Sequence, residues 1–148
     1  MARDIAGTIK KIVSETFSGI YGNATGDTAW LSVAAYADLV SGGAEGAEPS
    51  CGTAELTEGK LTVFLQIPLK VLRDTPAVGR VLVGALLNAL YEADGAVQGR
   101  VLFMLDEVRR LGPMKILEVA RDAGRKYGIT LQLLYQAEDQ LVEQWGRQ

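Results

Sequence analysis

The sequence contains no histidine among its 148 residues and only one cysteine, Cys51. The absence of histidine excludes Ser-His-Asp and Cys-His catalysis and removes the usual zinc ligand sets. A lone cysteine cannot form an intramolecular disulfide, so a reducing compartment is the simplest setting for the chain. Carboxylates remain available, and these are the ligands through which Mg²⁺ binds together with water.

Long apolar runs and an excess of basic charge are also missing. No stretch approaches 18 apolar residues and residues 1–11 lack the apolar part of a signal peptide, so we expect a cytoplasmic chain without a membrane segment. The net charge of −3 argues against a surface built to bind nucleic acid. No basic stripe is interleaved with aromatics, and we predict packing roles for the following aromatic residues: Trp30, Tyr91, Tyr127 and Trp145.

The first part of the chain, residues 1–45, has the apolar spacing of helices. The pattern predicts one amphipathic helix over Asp4–Phe17, ended by Gly19 and the glycines that follow it. Asp27 or Thr28 is then expected to cap a second helix that continues to about Val40, with a buried side formed by Trp30, Leu31, Val33, Ala34 and Leu39. Residues 46–60 are rich in glycine and poor in apolar bulk, which predicts a flexible loop.

Residues 61–148 alternate between strand-like and helix-like segments. The predicted strands are Leu61–Ile67, Val101–Leu105 and Thr130–Tyr135. Three helices are predicted: one begins near Pro76, one begins near Pro113, and the last contains Leu141, Val142 and Trp145. The five apolar residues of Val101–Leu105 indicate a strand buried on both faces. This order predicts an α/β fold with a parallel sheet of about three strands, helices on both faces and an N-terminal helical segment.

Two carboxylates, Asp106 and Glu107, follow the apolar strand directly. A buried aliphatic strand that ends in Asp-Glu is the Walker B arrangement of P-loop NTPases, in which the Asp holds Mg²⁺ through water and the Glu polarises the attacking water. Gln136 closes the next strand, so its amide should reach the same sheet edge. An alternative for the two acids is that they are the ordinary polar residues at which a strand ends and the next helix begins. The alternative for Gln136 is an ordinary polar residue at the end of a strand.

Arginines follow the acids at two places. Arg121 and Arg125 lie four residues apart on one predicted helix, where they could present guanidinium groups to the phosphates of a neighbouring subunit. The alternative is a solvated helix face on which Asp122 and Glu118 pair with them. The Arg109-Arg110 pair is predicted to form local salt bridges.

Several sequence elements resemble the TraG-type coupling proteins of type IV secretion and conjugation. They are Leu-Asp-Glu-Val-Arg-Arg-Leu-Gly at 105–112, Ile-Leu-Glu-Val-Ala-Arg-Asp-Ala-Gly-Arg-Lys-Tyr-Gly-Ile at 116–129, Gln136, Gln140-Leu141 and Gln144-Trp145-Gly146. The similarity continues upstream at 62–68 and 16–20, so it covers most of the chain. The resemblance is specific because these elements recur in order and spacing.

The resemblance implies part of a RecA-like ATPase that is anchored in the inner membrane, forms hexamers and brings relaxase-bound DNA or protein substrates to a secretion channel. ATP and Mg²⁺ are the implied cofactors. Asp106 matches the Mg²⁺-associated Walker B acid of the family and Glu107 its water-activating acid. Gln136 matches the strand-end glutamine, and Arg125 matches the arginine thought to reach the nucleotide of the neighbouring subunit.

The phosphate-binding loop of that family, G-x-x-x-x-G-K-[ST], is missing. The only Gly-Lys, Gly59-Lys60, is followed by Leu61, and Ala54 stands five residues before the glycine. Without this loop ATP loses its principal anchor, so we expect a Walker B-containing fragment that is not ATPase-competent alone. The family's N-terminal membrane helices are missing too. Two alternatives are a stand-alone module that associates with itself or with a full-length coupling protein, and a gene remnant.

Overall fold

A computed structural model describes residues 14–41 and 51–146. The chain divides into two compact units, Met1–Ser41 and Gly42–Gln148. The beginning of the predicted Asp4–Phe17 helix and most of the glycine-rich segment after Ser41 lie outside the described residues.

The N-terminal unit begins with helix α1, Ser14–Thr28. The prediction that Gly19, Gly22 and Gly26 end this helix is wrong, because α1 runs through all three. A glycine in a helix costs only about 1 kcal/mol relative to alanine and is no steric block. Thr28 is the last residue of α1 and not the cap of a second helix, since its hydroxyl donates to the carbonyl of Ala24 at 2.6 Å.

A 3-10 helix, Ala29–Ser32, and helix α2, Ala34–Val40, follow. Trp30 is buried, as predicted for the packed side of this segment. The other large apolar residues expected on that side are exposed: Leu31, Val33 and Leu39. Because the 3-10 turn interrupts the helical periodicity, these residues do not share one face with Trp30.

The C-terminal unit opens with a 3-10 helix, Thr53–Glu58, whose Leu56 is buried. The carboxylate of Glu55 accepts the backbone N–H of Gly52 at 2.7 Å. The prediction of a strand at Leu61–Ile67 is wrong, because residues 61–68 are assigned to neither helix nor strand. Leu61 and Val63 pack against the core whereas Phe64 is 85% exposed, and the segment has no hydrogen-bonded partner strand in the described part of the chain.

Helices α3, Leu69–Asp74, and α4, Pro76–Glu92, come next. The predicted start of a long helix at Pro76 is confirmed, with proline at its first position where the missing N–H costs nothing. The residues of α4 that are buried recur at helical spacing: Val78, Val83, Leu87 and Leu90. Val83, Leu87 and Leu90 form one side of the core.

The sheet contains two parallel strands, β1, Val101–Leu105, and β2, Ile129–Leu133. The register pairs Val101 with Ile129 and Leu105 with Leu133. The crossover between the strands contains a 3-10 helix (Val108–Leu111), helix α5 (Lys115–Ala123) and a second 3-10 helix (Gly124–Tyr127). Helix α6, Glu138–Trp145, follows β2. The predicted parallel α/β fold is confirmed, with two strands in place of about three.

The core lies on the face of the sheet that carries Phe103. It contains buried residues from the 3-10 helix Thr53–Glu58, both strands, α4, the segment after β1 and α5: Leu56, Val83, Leu87, Leu90, Phe103, Val108, Leu111, Met114, Leu117, Ala120 and Ile129. The prediction that β1 is buried on both faces is wrong, since Leu102 and Met104 are 53% and 58% exposed. An unbroken apolar run in the sequence cannot tell which face another element covers.

Candidate functional site

The acids predicted from the sequence lie at the carboxyl end of β1, and Gln136 lies three residues beyond β2. Because the two strands are parallel and in register, both ends emerge at one edge of the sheet. The side-chain amide of Gln136 donates a hydrogen bond to Oε1 of Glu107. The structure therefore places Gln136 at the predicted sheet edge and, beyond that prediction, in contact with Glu107.

Glu107 has a backbone conformation that is unusual for a residue with a side chain. Its φ of 52° and ψ of 33° are left-handed, and its N–H donates to Oδ1 of Asp106 at 2.9 Å. Such a conformation costs on the order of 1–3 kcal/mol and persists only where the surroundings enforce it. The turn thus holds the Asp106 carboxylate against the backbone of Glu107 at the strand end.

The second carboxylate oxygen of Glu107 is also engaged. Nε of Arg110 donates to Oε2 of Glu107 at 2.9 Å. Arg109, by contrast, donates from Nε and Nη2 to Oε2 of Glu143 on α6, at 3.0 and 2.8 Å. The prediction of a local salt bridge holds for Arg110 and is wrong for Arg109, whose partner is far away in sequence.

A crevice of about 580 Å³ adjoins this contact. Glu107 and Gln136 line it together with polar and charged side chains that include Arg73, Arg109 and Arg110. Gln144 also lines it, and its amide nitrogen is buried with no hydrogen-bond partner in the described part of the chain. Asp106 is exposed beside the crevice. The three arginines are each paired with a carboxylate, so the Gln144 amide is the donor left for an anionic ligand, whereas carboxylates suit a cation.

Arg121 and Arg125 lie elsewhere. Arg121 is in α5 and Arg125 is in the following 3-10 helix, and neither lines the crevice at Glu107. Nε of Arg121 donates to Asp122 at 2.7 Å, so Asp122 and not Glu118 is its hydrogen-bond partner. This hydrogen bond raises the pKa of Arg121 and lowers the pKa of Asp122. Arg125 is exposed, and its predicted reach to a neighbouring subunit stays a prediction.

The sequence interpretation missed the side chains of α6 that face this edge. Gln140 accepts the backbone N–H of Gln136 at 3.2 Å, and Glu143 binds Arg109. Gln140, Glu143 and Gln144 are three and four residues apart, which places them on one helix face. That spacing was a usable signal, but their partners became evident only from the tertiary structure.

Over residues 14–41 and 51–146, no three His, Cys, Asp or Glu residues are arranged to hold a metal ion. Mg²⁺ does not require such a cage, because it is commonly held by one or two carboxylates with water and substrate phosphates. Asp106 and Glu107 are a donor pair of that kind. In the same ranges, no helix combines the length and the apolar character needed to cross a membrane.

The Gly59-Lys60 dipeptide does not form a phosphate cradle. Gly59 and Lys60 both have positive φ, 75° and 64°, and they join a 3-10 helix to a segment without regular structure. A phosphate-binding loop joins a strand to the N-terminus of a helix, where backbone N–H groups point at the ligand. Of the groups that an ATP–Mg²⁺ site needs, the described residues therefore supply the carboxylates Asp106 and Glu107 but no phosphate-binding loop.

Comparisons with known proteins agree with the resemblance seen in the sequence. A family model described as "Type IV secretory system Conjugative DNA transfer" matches residues 2–148. The type IV secretion system-coupling protein VirD4 of Bartonella quintana (strain Toulouse) is 48% identical over 144 residues, which are 97% of this chain and 22% of the relative. The conjugal transfer protein TraG of Rhizobium radiobacter is 52% identical over 132 residues, 89% of this chain and 20% of the relative.

A second TraG, from Agrobacterium fabrum (strain C58 / ATCC 33970), is 51% identical over 132 residues and is covered over 19% of its length. No solved structure matches the chain. The chain spans about a fifth of the length of these relatives. Since the family model covers nearly every residue, the chain belongs to the type IV secretory system family of conjugative DNA transfer proteins.

Proposed function

We propose that this chain carries the Walker B half of the ATP site of a type IV secretion coupling protein and does not hydrolyse ATP alone. The observation that carries the proposal is the contact between Glu107 and Gln136 at the carboxyl edge of the parallel sheet. A carboxylate and an amide in contact at that edge, beside Asp106, are the groups needed to orient a water molecule next to a metal-bound phosphate.

Each residue has a distinct role in this proposal. Asp106 would hold Mg²⁺ through water, and Glu107 would polarise the attacking water. Gln136 would orient that water or the terminal phosphate, and Arg125 would reach the nucleotide of a neighbouring subunit. Mg²⁺ supplies neutralisation of phosphate charge when it is bound. The phosphate cradle has to come from sequence other than Gly59-Lys60.

The biological role that follows is transport of DNA or protein substrates. VirD4 and TraG are named as coupling and conjugal transfer proteins. We infer that the chain works as part of a hexamer of coupling-protein subunits, on the cytoplasmic side of an inner-membrane anchor, and passes relaxase-bound DNA or protein to the channel. Its net charge of −3 gives no support to strong direct DNA binding by this part.

A chimera tests the proposal. The matched 144-residue stretch of VirD4 from Bartonella quintana is replaced by this chain, and ATP hydrolysis by the chimera is compared with that of the isolated chain. We expect turnover by the chimera only. Glu107→Gln should lower kcat of the chimera by about 10²- to 10⁴-fold, the usual contribution of a positioned general base.

Glu118→Gln is the matched control, because Glu118 is an exposed glutamate of α5 that does not line the crevice. It should leave turnover unchanged. Turnover by the isolated chain that is lost in Glu107→Gln contradicts the claim of an incomplete site. A chimera that hydrolyses ATP equally well with Glu107→Gln contradicts the role of Glu107.

A second candidate function is self-association as an interaction module. The observation that favours it is the apolar sheet face left open at Leu102 and Met104. A second copy of this chain presents the same face, so a symmetric pair would cover both. Light scattering tests this alternative, and a clean monomer at high concentration rules it out.

A further inference from the structure

The residue before Gln136, Tyr135, is more buried than Gln136 itself. Gln136 is exposed, and residues 134–137 belong to no helix or strand. Tyr135, in contrast, is partly buried and packs against the hydrophobic core. Its hydroxyl receives a hydrogen bond from Nε1 of Trp145 at 2.5 Å and donates one to Oε1 of Gln144 at 3.1 Å.

The two partners of this hydroxyl belong to α6, and one of them, Trp145, also contacts an arginine. The guanidinium carbon of Arg121 lies 4.7 Å from the centre of the Trp145 ring, which is within the range of a cation–π contact. Arg121 is in turn oriented by Asp122. The indole is therefore held by its ring face and by its N–H, and both contacts limit where the Tyr135 hydroxyl can lie.

The backbone links this anchor directly to the proposed site. Tyr135 and Gln136 are adjacent, and the N–H of Gln136 donates to Gln140, one helical turn before Gln144. The Gln136 side chain is long and would lose rotamer freedom in reaching Glu107, so its contact depends on a fixed starting point in the backbone. Removal of the Tyr135 hydroxyl also leaves the Trp145 N–H without its acceptor.

We propose that Tyr135 is a positioning residue whose hydroxyl, held by Trp145 and Gln144, fixes the end of β2 and thereby places the Gln136 amide against Glu107. The inference rests on the proposed function, because Glu107 and Gln136 are the groups that Tyr135 would place. It assigns no direct contact with substrate to Tyr135.

NMR of the whole chain, without nucleotide, tests the inference. The NMR signals of the Gln136 side-chain NH₂ group are recorded in four proteins. These are the unchanged chain, Glu107→Gln, Tyr135→Phe and the double variant. We expect Glu107→Gln to shift these signals in the unchanged background and the shift to fall severalfold in Tyr135→Phe.

Tyr91→Phe is the matched control. The Tyr91 hydroxyl is also partly buried and donates one hydrogen bond, to the carbonyl of Ile116 at 3.0 Å, and Tyr91 does not line the crevice at Gln136. Tyr91→Phe should keep the full response of the Gln136 signals, although it also removes a hydroxyl. Trp145→Phe, which deletes the indole N–H donor from the anchor, replaces Tyr135→Phe should that variant fail to fold.

An undiminished Gln136 response in Tyr135→Phe, or in Trp145→Phe where that variant is used, overturns the inference. The same loss in Tyr91→Phe also overturns it, since the effect would then be general loosening of the fold. Because these measurements involve no ATP, a failure of the chimera to hydrolyse ATP refutes the proposed function without changing this result. A failure here leaves the chimera test of Glu107 intact.

Discussion

Gly112 ends the turn that follows the acids, and its substitution by alanine tests how tightly this turn is built. Gly112 has a φ of 67° and a ψ of −170°, a region that is essentially restricted to glycine. A Cβ there would lie 2.6 Å from Nη2 of Arg80. Arg80 would have to move, although its Nε donates to the carbonyl of Leu111 at 2.5 Å.

The expected cost combines these two effects. The backbone region costs about 1–3 kcal/mol for a residue with a side chain, and a lost hydrogen bond costs about 0.5–1.5 kcal/mol. We therefore expect Gly112→Ala to lower the free energy of unfolding by roughly 2–4 kcal/mol. With a urea slope of about 2 kcal/mol per molar, the midpoint falls by about 1–2 M.

Urea unfolding followed by Trp145 fluorescence measures this change, in a Trp30→Phe background so that only the C-terminal unit reports. Gly84→Ala is the matched control, because Gly84 lies inside α4 and a Cβ added there would meet no atom within 4 Å. It should raise stability by about 0.5–1 kcal/mol. A Gly112→Ala protein as stable as Gly84→Ala would refute the reasoning.

Two further predictions concern the surface. Because hydrogen bonding to Arg121 lowers the pKa of Asp122, this pair contributes stability above the unfolded-state pKa of about 3.9 and loses it as the pH falls through the lower folded-state pKa. An NMR titration should find the Asp122 midpoint below this value and restored to it in Arg121→Gln, and equal midpoints would contradict the pairing. For self-association, Met104→Glu should abolish any dimer seen by light scattering, whereas Leu69→Glu, at an equally exposed site on α3, should not. Equal effects of both variants would remove the sheet face from consideration.

The sequence predicted that Gln136 and the two acids lie at one sheet edge because strand geometry is local. An apolar run of five residues followed by Asp106-Glu107, and a second run ahead of Gln136, indicated two parallel strands whose ends share one edge. The partner of Arg109 could not be predicted in this way, since Glu143 lies 34 residues away on α6. Side-chain pairing across that distance depends on how α6 packs, which no local pattern specifies.

Glycines and apolar residues predicted the ends of α1 and the strand at 61–67 incorrectly, because local preferences of about 1 kcal/mol are too weak to decide the structure. Gly19, Gly22 and Gly26 lower helix propensity by about 1 kcal/mol each, too little to end α1 in the folded chain. In the predicted strand at 61–67, Leu61 and Val63 do pack against the core. A strand also needs a hydrogen-bonded neighbour, and β1 pairs only with β2 in the described part of the chain.

By itself the sequence determined the family, the α/β class, and the order of acids and amide along the chain, because these depend on residue identity, spacing and periodicity. It also excluded histidine chemistry and a Gly-Lys phosphate cradle. Only the tertiary structure shows that Glu107 adopts a left-handed backbone and that its carboxylate contacts Arg110 and Gln136. The packing of α6 likewise brings the hydroxyl of Tyr135 against Trp145 and Gln144 beyond the end of β2. These features depend on contacts between separate elements of the fold, which exist only once the chain has packed.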